Sequence, residues 1–284
     1  MHTPKLRTAA LAAALLSSSA LSFGAVTIYT DFSDKNGGQP TGPTFNSWTG
    51  TAGNGWLGKW NPNITSGSSW SHSANTGALV ITHTMTADGT KHLSINRSYD
   101  ATLLDFERDY TISFDITLNT LTNFNTGDYI GILEGGANTR GLPSESEFWG
   151  VQFDGADGVL KWYDAKNQTG IASGLSFTTG STYSFTISID PVARTWVGTV
   201  TSGATTITST AIDLGMGTLN ANRVFRLHSQ IDGPEGSYTS VGYTFDNLTI
   251  HQADAPIPEA SSFALLAGAT ALGFGACGRR RRGA

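Results

Sequence analysis

Alternating apolar and polar positions recur along the middle of the chain and predict antiparallel β-strands. From Tyr110 to Leu118 every second residue is apolar, and the residues between them are Thr, Ser and Asp. The stretch from Tyr183 to Ile189 repeats this pattern. Because side chains alternate between the two faces of a strand, one face of each is expected to be buried and the other wet.

Similar patterns elsewhere predict roughly a dozen strands in all. The polar segments 154–158 and 190–194 read as hairpin turns. Helical periodicity is nearly absent between Val26 and Ile257, and no βαβ pattern or fixed internal repeat is present. The pattern therefore predicts an all-β fold of two packed antiparallel sheets. The further predicted strands are Val26–Phe32, Ala78–Met85, His92–Tyr99, Tyr129–Leu133, Phe148–Phe153, Val159–Tyr163, Thr195–Thr201, Thr205–Thr210, Val224–Gln230 and Tyr243–His251.

The first 25 residues have the layout of a secretory signal peptide. Lys5 and Arg7 precede an apolar, Ala/Leu-rich run from Ala9 to Leu16, and small residues follow up to Ala25. Cleavage after residue 20, 24 or 25 fits this pattern, and the choice stays open. The sequence thus predicts export of everything that follows.

The last residues, 253–284, predict a membrane segment and a sorting signal. From Phe263 to Cys277 no residue is charged, which predicts a transmembrane helix over about 261–278. Counted from Ala260 to Gly278, such a helix is roughly 28 Å long, enough for a thin hydrocarbon core. Four arginines, Arg279, Arg280, Arg281 and Arg282, follow it and favour a cytoplasmic end by the positive-inside bias. An uncut tail anchor is the alternative to a processed signal.

This tail resembles the PEP-CTERM sorting signal of Gram-negative bacteria, in which a Pro-Glu-Pro motif precedes a transmembrane segment and a basic cluster. Pro258 and Glu259 match the motif, and Ala260 stands where the family has its second proline. The resemblance implies a transient inner-membrane anchor, a membrane protease of the exosortase type as partner, and a final location at the cell surface or outside the cell.

Charge and cysteine content narrow the possible partners. Between Val26 and Ile257 the chain has 11 Lys and Arg against 21 Asp and Glu, a net charge near −10. Such an acidic surface argues against nucleic acid or anionic lipid as a partner. The only cysteine, Cys277, lies in the tail, so the exported domain is expected to hold together without a disulfide.

The middle of the chain is similar to the concanavalin A-like (laminin-G-like) jelly roll. The resemblance is carried by the opening Tyr29–Phe32, the hairpin from Trp149 to Tyr163, the pair 183–190 and 196–201, and the closing Tyr243–Ile250. It implies one β-sandwich ectodomain over 26–252. An immunoglobulin-like sandwich is the runner-up, although the number of predicted strands is high for one.

The closing strand contains a slip in its alternation. Tyr243 and Phe245 share one face, whereas Leu248 is in phase with Asp246, and such a slip predicts a β-bulge. In many jelly rolls of this kind a structural Ca²⁺ lies where the first and last strands meet. The resemblance therefore implies Asp246, with Asp31 or Asp34, as calcium ligands. A bulge with ordinary turn hydrogen bonds is the alternative.

Four tryptophans, Trp48, Trp56, Trp60 and Trp70, fall in a segment rich in Gly, Asn and Ser that is interpreted as loops. Indole faces on loops can stack on sugar rings, so these residues are candidates for carbohydrate binding. The alternative is that they close one end of the sandwich and are buried.

Carboxylate pairs were tested because this superfamily includes glycosidases. Glu145 and Glu147 would point the same way on a strand, as an acid/nucleophile pair requires. The superfamily's glucanase pattern Glu-x-Asp-x-x-Glu would then need a second Glu where Gly150 stands, so the pattern is broken. No metalloprotease, nucleophile-elbow or phosphate-loop motif is present, and no catalytic residue is predicted.

The sequence therefore predicts an exported, non-enzymatic surface or extracellular-matrix protein with polysaccharide as a candidate ligand. A glycan-active hydrolase and a purely structural or adhesive protein are the alternatives. Exposure of Trp48, Trp56 or Trp60 beside a groove would favour binding, and burial of all of them would favour the structural role.

Overall fold

The computed structural model describes residues 25–30, 32, 55–73, 77–100, 102–136, 147–215, 223–234 and 236–253. In this part of the chain no helix is long and apolar enough to cross a membrane. The predicted signal peptide, membrane helix and sorting motif lie outside the described residues. The described strands are Val26–Tyr29 (β1), Trp56–Ile64 (β2), Ser68–Ser73 (β3), Leu79–Met85 (β4), Lys91–Tyr99 (β5), Tyr110–Thr122 (β6), Tyr129–Gly136 (β7), Glu147–Asp154 (β8), Val159–Asp164 (β9), Thr169–Ser176 (β10), Thr182–Asp190 (β11), Thr195–Ser202 (β12), Thr205–Thr208 (β13), Ile212–Asp213 (β14), Arg223–Ile231 (β15) and Ser240–Gln252 (β16).

These strands form two antiparallel sheets, which confirms the all-β prediction. The nine-stranded sheet has the order β13-β12-β11-β6-β16-β4-β3, with β1 also paired to β16 and β14 to β12. The seven-stranded sheet has the order β10-β9-β8-β7-β15-β5-β2. The late strands β15 and β16 each separate strands that come much earlier in the chain, which is a jelly-roll type of connection.

Aromatic side chains from both sheets fill the space between them. Phe114 on β6 lies 6.4 Å from Trp149 on β8, 6.1 Å from Phe225 on β15 and 5.4 Å from Phe245 on β16, measured between ring centroids. All four side chains are at most 1% exposed. Offset and edge-on contacts of this kind stabilise a core beyond the area they bury.

The predicted bulge in the closing strand is present. The register between β16 and β6 shifts between Asp246 and Thr249, and Asn247 has a φ of 53°. The Asn247 backbone N–H donates to Oδ1 of Asp246 over 2.6 Å. A residue in the left-handed region with a local side-chain acceptor is typical of such a bulge, and Asn tolerates it well.

The segment interpreted as tryptophan-bearing loops forms strands instead. Trp56 and Trp60 lie on β2, and Trp70 lies on β3. The many Asn, Gly and Ser residues around them hid the strand pattern, because these residues are typical of turns. Strand β10, which carries no large alternating side chains, was missed for a similar reason.

Candidate functional site

The outer face of the seven-stranded sheet is unusual because polar side chains are buried there. On β6 of the other sheet, buried and half-buried residues alternate up to Leu118. On β15, by contrast, every residue from Arg223 to Ser229 is buried. The inner face of β15 carries Phe225 and Leu227, so Arg226 and His228 point to the outer side of the sheet.

Strand register places these side chains in two rows that cross the sheet. We call the two rows together the polar face. The first row contains Ser94, His228, Gly131, Gln152 and Lys161, and the second contains Asn96, Arg226, Leu133, Gly150 and Tyr163.

His228 lies at the centre of the polar face and is 1% exposed. Neither of its ring nitrogens has a hydrogen-bond partner in the described part of the chain. Its ring stacks on Tyr129 at 5.3 Å and lies 5.6 Å from His92. Burial, reinforced by His92, Arg226 and His83, holds the pKa of His228 well below 6.5. The imidazole is therefore neutral at pH 7 and offers one unused donor and one unused acceptor.

Arg226 brings a positive charge to the same face. Its Nε donates to Oδ1 of Asn96 over 2.9 Å, and the Ser94 hydroxyl donates to that same oxygen over 3.3 Å. All three side chains are less than 9% exposed. The network fixes the guanidinium two residues along the strand from His228, on the same side of the sheet.

Two glycines lie in the middle of the polar face. A Cβ added at Gly131 would lie 3.5 Å from Leu133 and Tyr129, and one at Gly150 would lie 3.4 Å from Tyr163. Neither position needs a positive φ, so backbone conformation does not explain glycine there. A glycine inside a strand is often found where another molecule approaches the backbone closely.

Carboxylates beside the polar face are already occupied. Asp154 accepts hydrogen bonds from Lys161 and from the Ala156 backbone N–H, both over 2.8 Å, and Asp157 also pairs with Lys161. Glu145 and the side chain of Glu147, the carboxylate pair whose glycosidase pattern is broken, lie outside the described residues.

A second buried polar cluster lies on the inner side of the same sheet. Glu134 accepts from the Tyr110 hydroxyl at 2.8 Å, the Trp149 indole at 2.7 Å and the Arg223 guanidinium at 3.0 Å. The carboxylate is 0% exposed, and Arg223 lies 3.9 Å over the ring of Phe148. The Glu134 carboxylate is therefore fully paired by protein groups, while Nε and Nη2 of Arg223 have no hydrogen-bond partner among the described residues.

The described tryptophans pack into the protein. Trp60 is 0% and Trp70 is 6% exposed. Trp56 is half-buried, with the ring of Tyr99 at 5.1 Å and the guanidinium of Arg97 at 5.3 Å. A buried indole has no face left for a sugar, so the burial alternative describes Trp60 and Trp70. Trp48 lies outside the described residues.

The proposed calcium ligands are described only in part. Asp246 pairs across the sheet with Asp115, and the Asn247 side-chain amide donates to Oδ2 of Asp115 over 2.6 Å. Asp31 and Asp34 lie outside the described residues. Elsewhere in the described chain no group of three or more His, Cys, Asp and Glu side chains could hold a metal. Two carboxylates that already bind Asn247 fall short of the six to eight oxygens that Ca²⁺ prefers.

Comparison with known proteins gives the fold and no family. No protein-family model and no curated protein matches the chain. The chain is similar to a crystal structure of a protein of unknown function from Shewanella oneidensis MR-1, at 14% identity, with a TM-score of 0.50 and coverage of 89% of this chain and 97% of that one. At this identity the likeness concerns the fold alone.

Two more distant likenesses are to named carbohydrate proteins. Lectin II from Ulex europaeus is 13% identical, with a TM-score of 0.36 and coverage of 66% of this chain and 98% of that chain. Alginate lyase vAL-1 from a Chlorella virus is 13% identical, with a TM-score of 0.43 and coverage of 68% and 93%. TM-scores this low support no inference about this chain.

Proposed function

We propose that this is an exported, non-enzymatic carbohydrate-binding protein, built on a jelly roll of the concanavalin A type, which binds glycan on its polar face. The observation that carries the proposal is His228, a neutral buried imidazole whose two ring nitrogens have no partner among the described residues. Buried polar atoms without a partner are rare in folded proteins and destabilise them by about 1–3 kcal/mol each. A ligand that supplies both hydrogen bonds removes that penalty on binding. Because His228 is 1% exposed, binding requires neighbouring side chains such as Tyr129 and His92 to move aside.

The surrounding chemistry suits sugar hydroxyls. A hydroxyl both donates and accepts, so it can satisfy either nitrogen of a neutral imidazole. Asn96 on β5 and Gln152 on β8 add amide groups to the same face, and Gly131, which has no side chain, pairs directly with His228. Ligand sites commonly combine a few fixed polar groups with an aromatic wall, which Tyr129 provides here.

Sorting to the surface is part of the same proposal. Residues 1–25 serve as a signal peptide, a helix over about 261–278 anchors the chain in the inner membrane, and an exosortase-type protease acts at Pro258–Ala260. Replacing Arg279–Arg282 with serine should trap or mislocalise the protein. Fractionation of cells into membrane, surface and medium tests this, and an unchanged distribution would contradict the sorting part of the proposal.

Binding of purified residues 26–257 to a panel of bacterial and plant polysaccharides tests the polar face. Gly131→Val should weaken binding about tenfold or more, because the new side chain covers the sheet directly across from His228 and packs against Tyr129. Gly242→Val is the matched control: it puts the same side chain into a strand of the other sheet, where the added Cβ meets Thr120 at 3.4 Å. Equal binding by the two variants would exclude the polar face as the site.

A second pair of variants separates a binding role from a purely structural one. His228→Phe keeps an aromatic ring against Tyr129 but removes both nitrogens, so it should stabilise the fold while binding is lost. Tyr243→Phe removes a different buried group, a core hydroxyl without a partner in the described residues, and should leave binding unchanged. A folded protein that binds nothing on the panel would instead favour the structural or adhesive role.

A further inference from the structure

The nine-stranded sheet carries an open cleft of about 430 Å³ on its outer side. The cleft lies where β6 begins, where β11 and β16 end, and where β12 begins. The outward side chains that line it are Asp109, Thr111, Ser188, Asp190, Thr195, Val197 and His251. Its volume falls within the range of about 300–1,000 Å³ that is typical of small-molecule sites.

The cleft exists because the central outward side chains are short. Thr111 pairs with Ser188 across the sheet, and Ser188 pairs with Val197 on the next strand. Beneath them Tyr110, Ile189 and Trp196 point inward to the core, and their backbone forms the floor of the cleft. The longer polar side chains, including Asp109 and His251, stand around this floor.

Rows of hydroxyl groups continue from the cleft along the same face. One row contains Ser113, Thr186, Thr199 and Thr208, and the next contains Ser184, Thr201 and Thr206 beside Asp115. Cross-strand hydrogen bonds hold several of them in place: the hydroxyls of Thr199 and Thr208 are 3.0 Å apart, as are those of Thr201 and Thr206. Fixed hydroxyls lose little conformational freedom when a ligand binds.

The charges in the cleft restrict the class of ligand. Among the described residues its lining has two carboxylates, Asp109 and Asp190, and no Lys or Arg; Oδ1 of Asp190 accepts from the Ala193 backbone N–H over 2.7 Å, which leaves its Oδ2 for a ligand. The arginines next to it in sequence turn to backbone carbonyls: Arg108 donates to Ala253 over 2.6 Å, and Arg194 donates to Gly215 over 3.0 Å. Carboxylates accept hydrogen bonds from sugar hydroxyls and repel acidic groups.

We infer that this cleft is a second glycan site, which takes a sugar without acidic groups, with the chain continuing over the hydroxyl rows. The site lies on the opposite sheet from the polar face and does not depend on it. Two sites on opposite sides of one domain would let a single molecule bridge two glycan chains. Linked sites of this kind raise avidity without any new contact.

The experiment uses purified residues 26–257, titrated by calorimetry with cellohexaose, a glucosamine hexamer and hexagalacturonate, in the Gly131→Val background so that the polar face is blocked. Cellohexaose or the glucosamine hexamer should bind, and hexagalacturonate should not. Ser188→Tyr, which fills the cleft, should weaken binding about tenfold or more. Ser71→Tyr, the same change on the outer face of β3 at the other edge of this sheet, outside the cleft lining and the hydroxyl rows, should leave affinity within about twofold.

The outcomes separate the two sites. Unchanged affinity in Ser188→Tyr, preference for hexagalacturonate, or no binding by any of the three probes would each overturn the cleft site. If the wild-type protein binds a probe and Gly131→Val alone abolishes this binding, the cleft site is overturned and the polar face is supported. If Gly131→Val leaves binding intact and Ser188→Tyr then abolishes it, the cleft is supported and the polar face is overturned.

Discussion

The outer faces of the two sheets share the alternation of inward and outward side chains but differ in how far their outward polar side chains are buried. On β11 the outward residues Thr182, Ser184, Thr186 and Ser188 are all exposed. On β15 the outward residues Arg226 and His228 are each 1% exposed. The polar groups on the outer face of β11 are hydrated, so they cost little free energy of folding. The buried polar groups of β15 destabilise the fold unless the protein or a ligand supplies hydrogen-bond partners.

The two sides of the seven-stranded sheet differ in how their buried polar groups are hydrogen-bonded. On the inner side, Glu134 is surrounded by donors from Tyr110, Trp149 and Arg223. On the outer side, the His228 ring has stacking partners and no hydrogen bond within the described residues. The Glu134 carboxylate is fully paired, whereas Nε and Nη2 of Arg223 beside it and both ring nitrogens of His228 have no hydrogen-bond partner among the described residues. Each such buried group calls for an explanation, and a bound ligand is the one proposed for His228.

The largest expected difference between the sheets is at their carboxylates. Glu134→Gln should destabilise the domain by about 3–5 kcal/mol, because it leaves the buried Arg223 charge without its counter-charge. Asp115→Asn makes the same change at a half-buried carboxylate of the nine-stranded sheet, opposite Asp246, and should change stability by less than about 1 kcal/mol. Urea unfolding of the two variants measures both values, and similar losses would mean that the sheets do not differ as described.

Acid should destabilise the domain through its buried histidines. Burial, with a contribution from His92, lowers the pKa of His83 from 6.5 to about 3, and burial also lowers those of His92 and His228. Since these folded-state pKa values lie below the unfolded value, the unfolded chain binds more protons below pH 6.5. Stability is therefore complete above about pH 6.5 and falls with decreasing pH, by about 2 kcal/mol at pH 5 from His83 alone.

Unfolding curves between pH 8 and pH 4.5 test this dependence. His228→Phe removes one of the titrating groups, so its stability should fall less steeply with acid than that of the wild type. Identical slopes for the two proteins would show that His228 is not held neutral in the folded state.

Cross-strand coupling should be stronger on the polar face than on the hydroxyl rows. Asn96 and Arg226 face each other across β5 and β15 with a 2.9 Å hydrogen bond, and Thr199 and Thr208 face each other across β12 and β13 at 3.0 Å. Double-mutant cycles to alanine should give about 1.5–3 kcal/mol for the buried, charge-assisted pair and about 0.2–1 kcal/mol for the exposed pair. Equal coupling energies would contradict the difference in environment.

The sequence predicted the nine-stranded sheet better than the seven-stranded one. Strands β6 and β11 were found with both faces assigned, because their wet faces are uniformly polar and their inner faces uniformly apolar. The bulge at Asp246–Asn247 followed from a slip in the same alternation. Where one face of a strand is exposed to water, the polar or apolar character of each side chain indicates on which face of the strand it lies.

The polar face was not predicted, because its pattern resembles that of an ordinary wet face. Arg226, His228 and Gln230 occupy every second position, as exposed polar residues of a strand do, and only the structure shows that the first two are buried. The one available signal was a run of Arg, His and Gln in place of Thr and Ser. The error at Trp60 was the opposite one. The Gly- and Asn-rich segment around Trp60 was interpreted as a loop, whereas Trp60 lies on β2 and is buried in the core.

Removal of metal is expected to have the smallest effect, and it concerns the bulge at the edge of the hydroxyl rows. Asn247 already binds both nearby carboxylates, with its backbone N–H on Asp246 and its side-chain amide on Asp115. These bonds offset the repulsion of two opposed carboxylates without a cation, so EDTA should leave the Tm of residues 26–257 unchanged within about 1 °C. A fall of several degrees that added Ca²⁺ reverses, and that Asp246→Asn abolishes, would instead establish the calcium site expected from the resemblance to jelly rolls. That result would also place a structural role, and not only a binding role, on the outer face of the nine-stranded sheet.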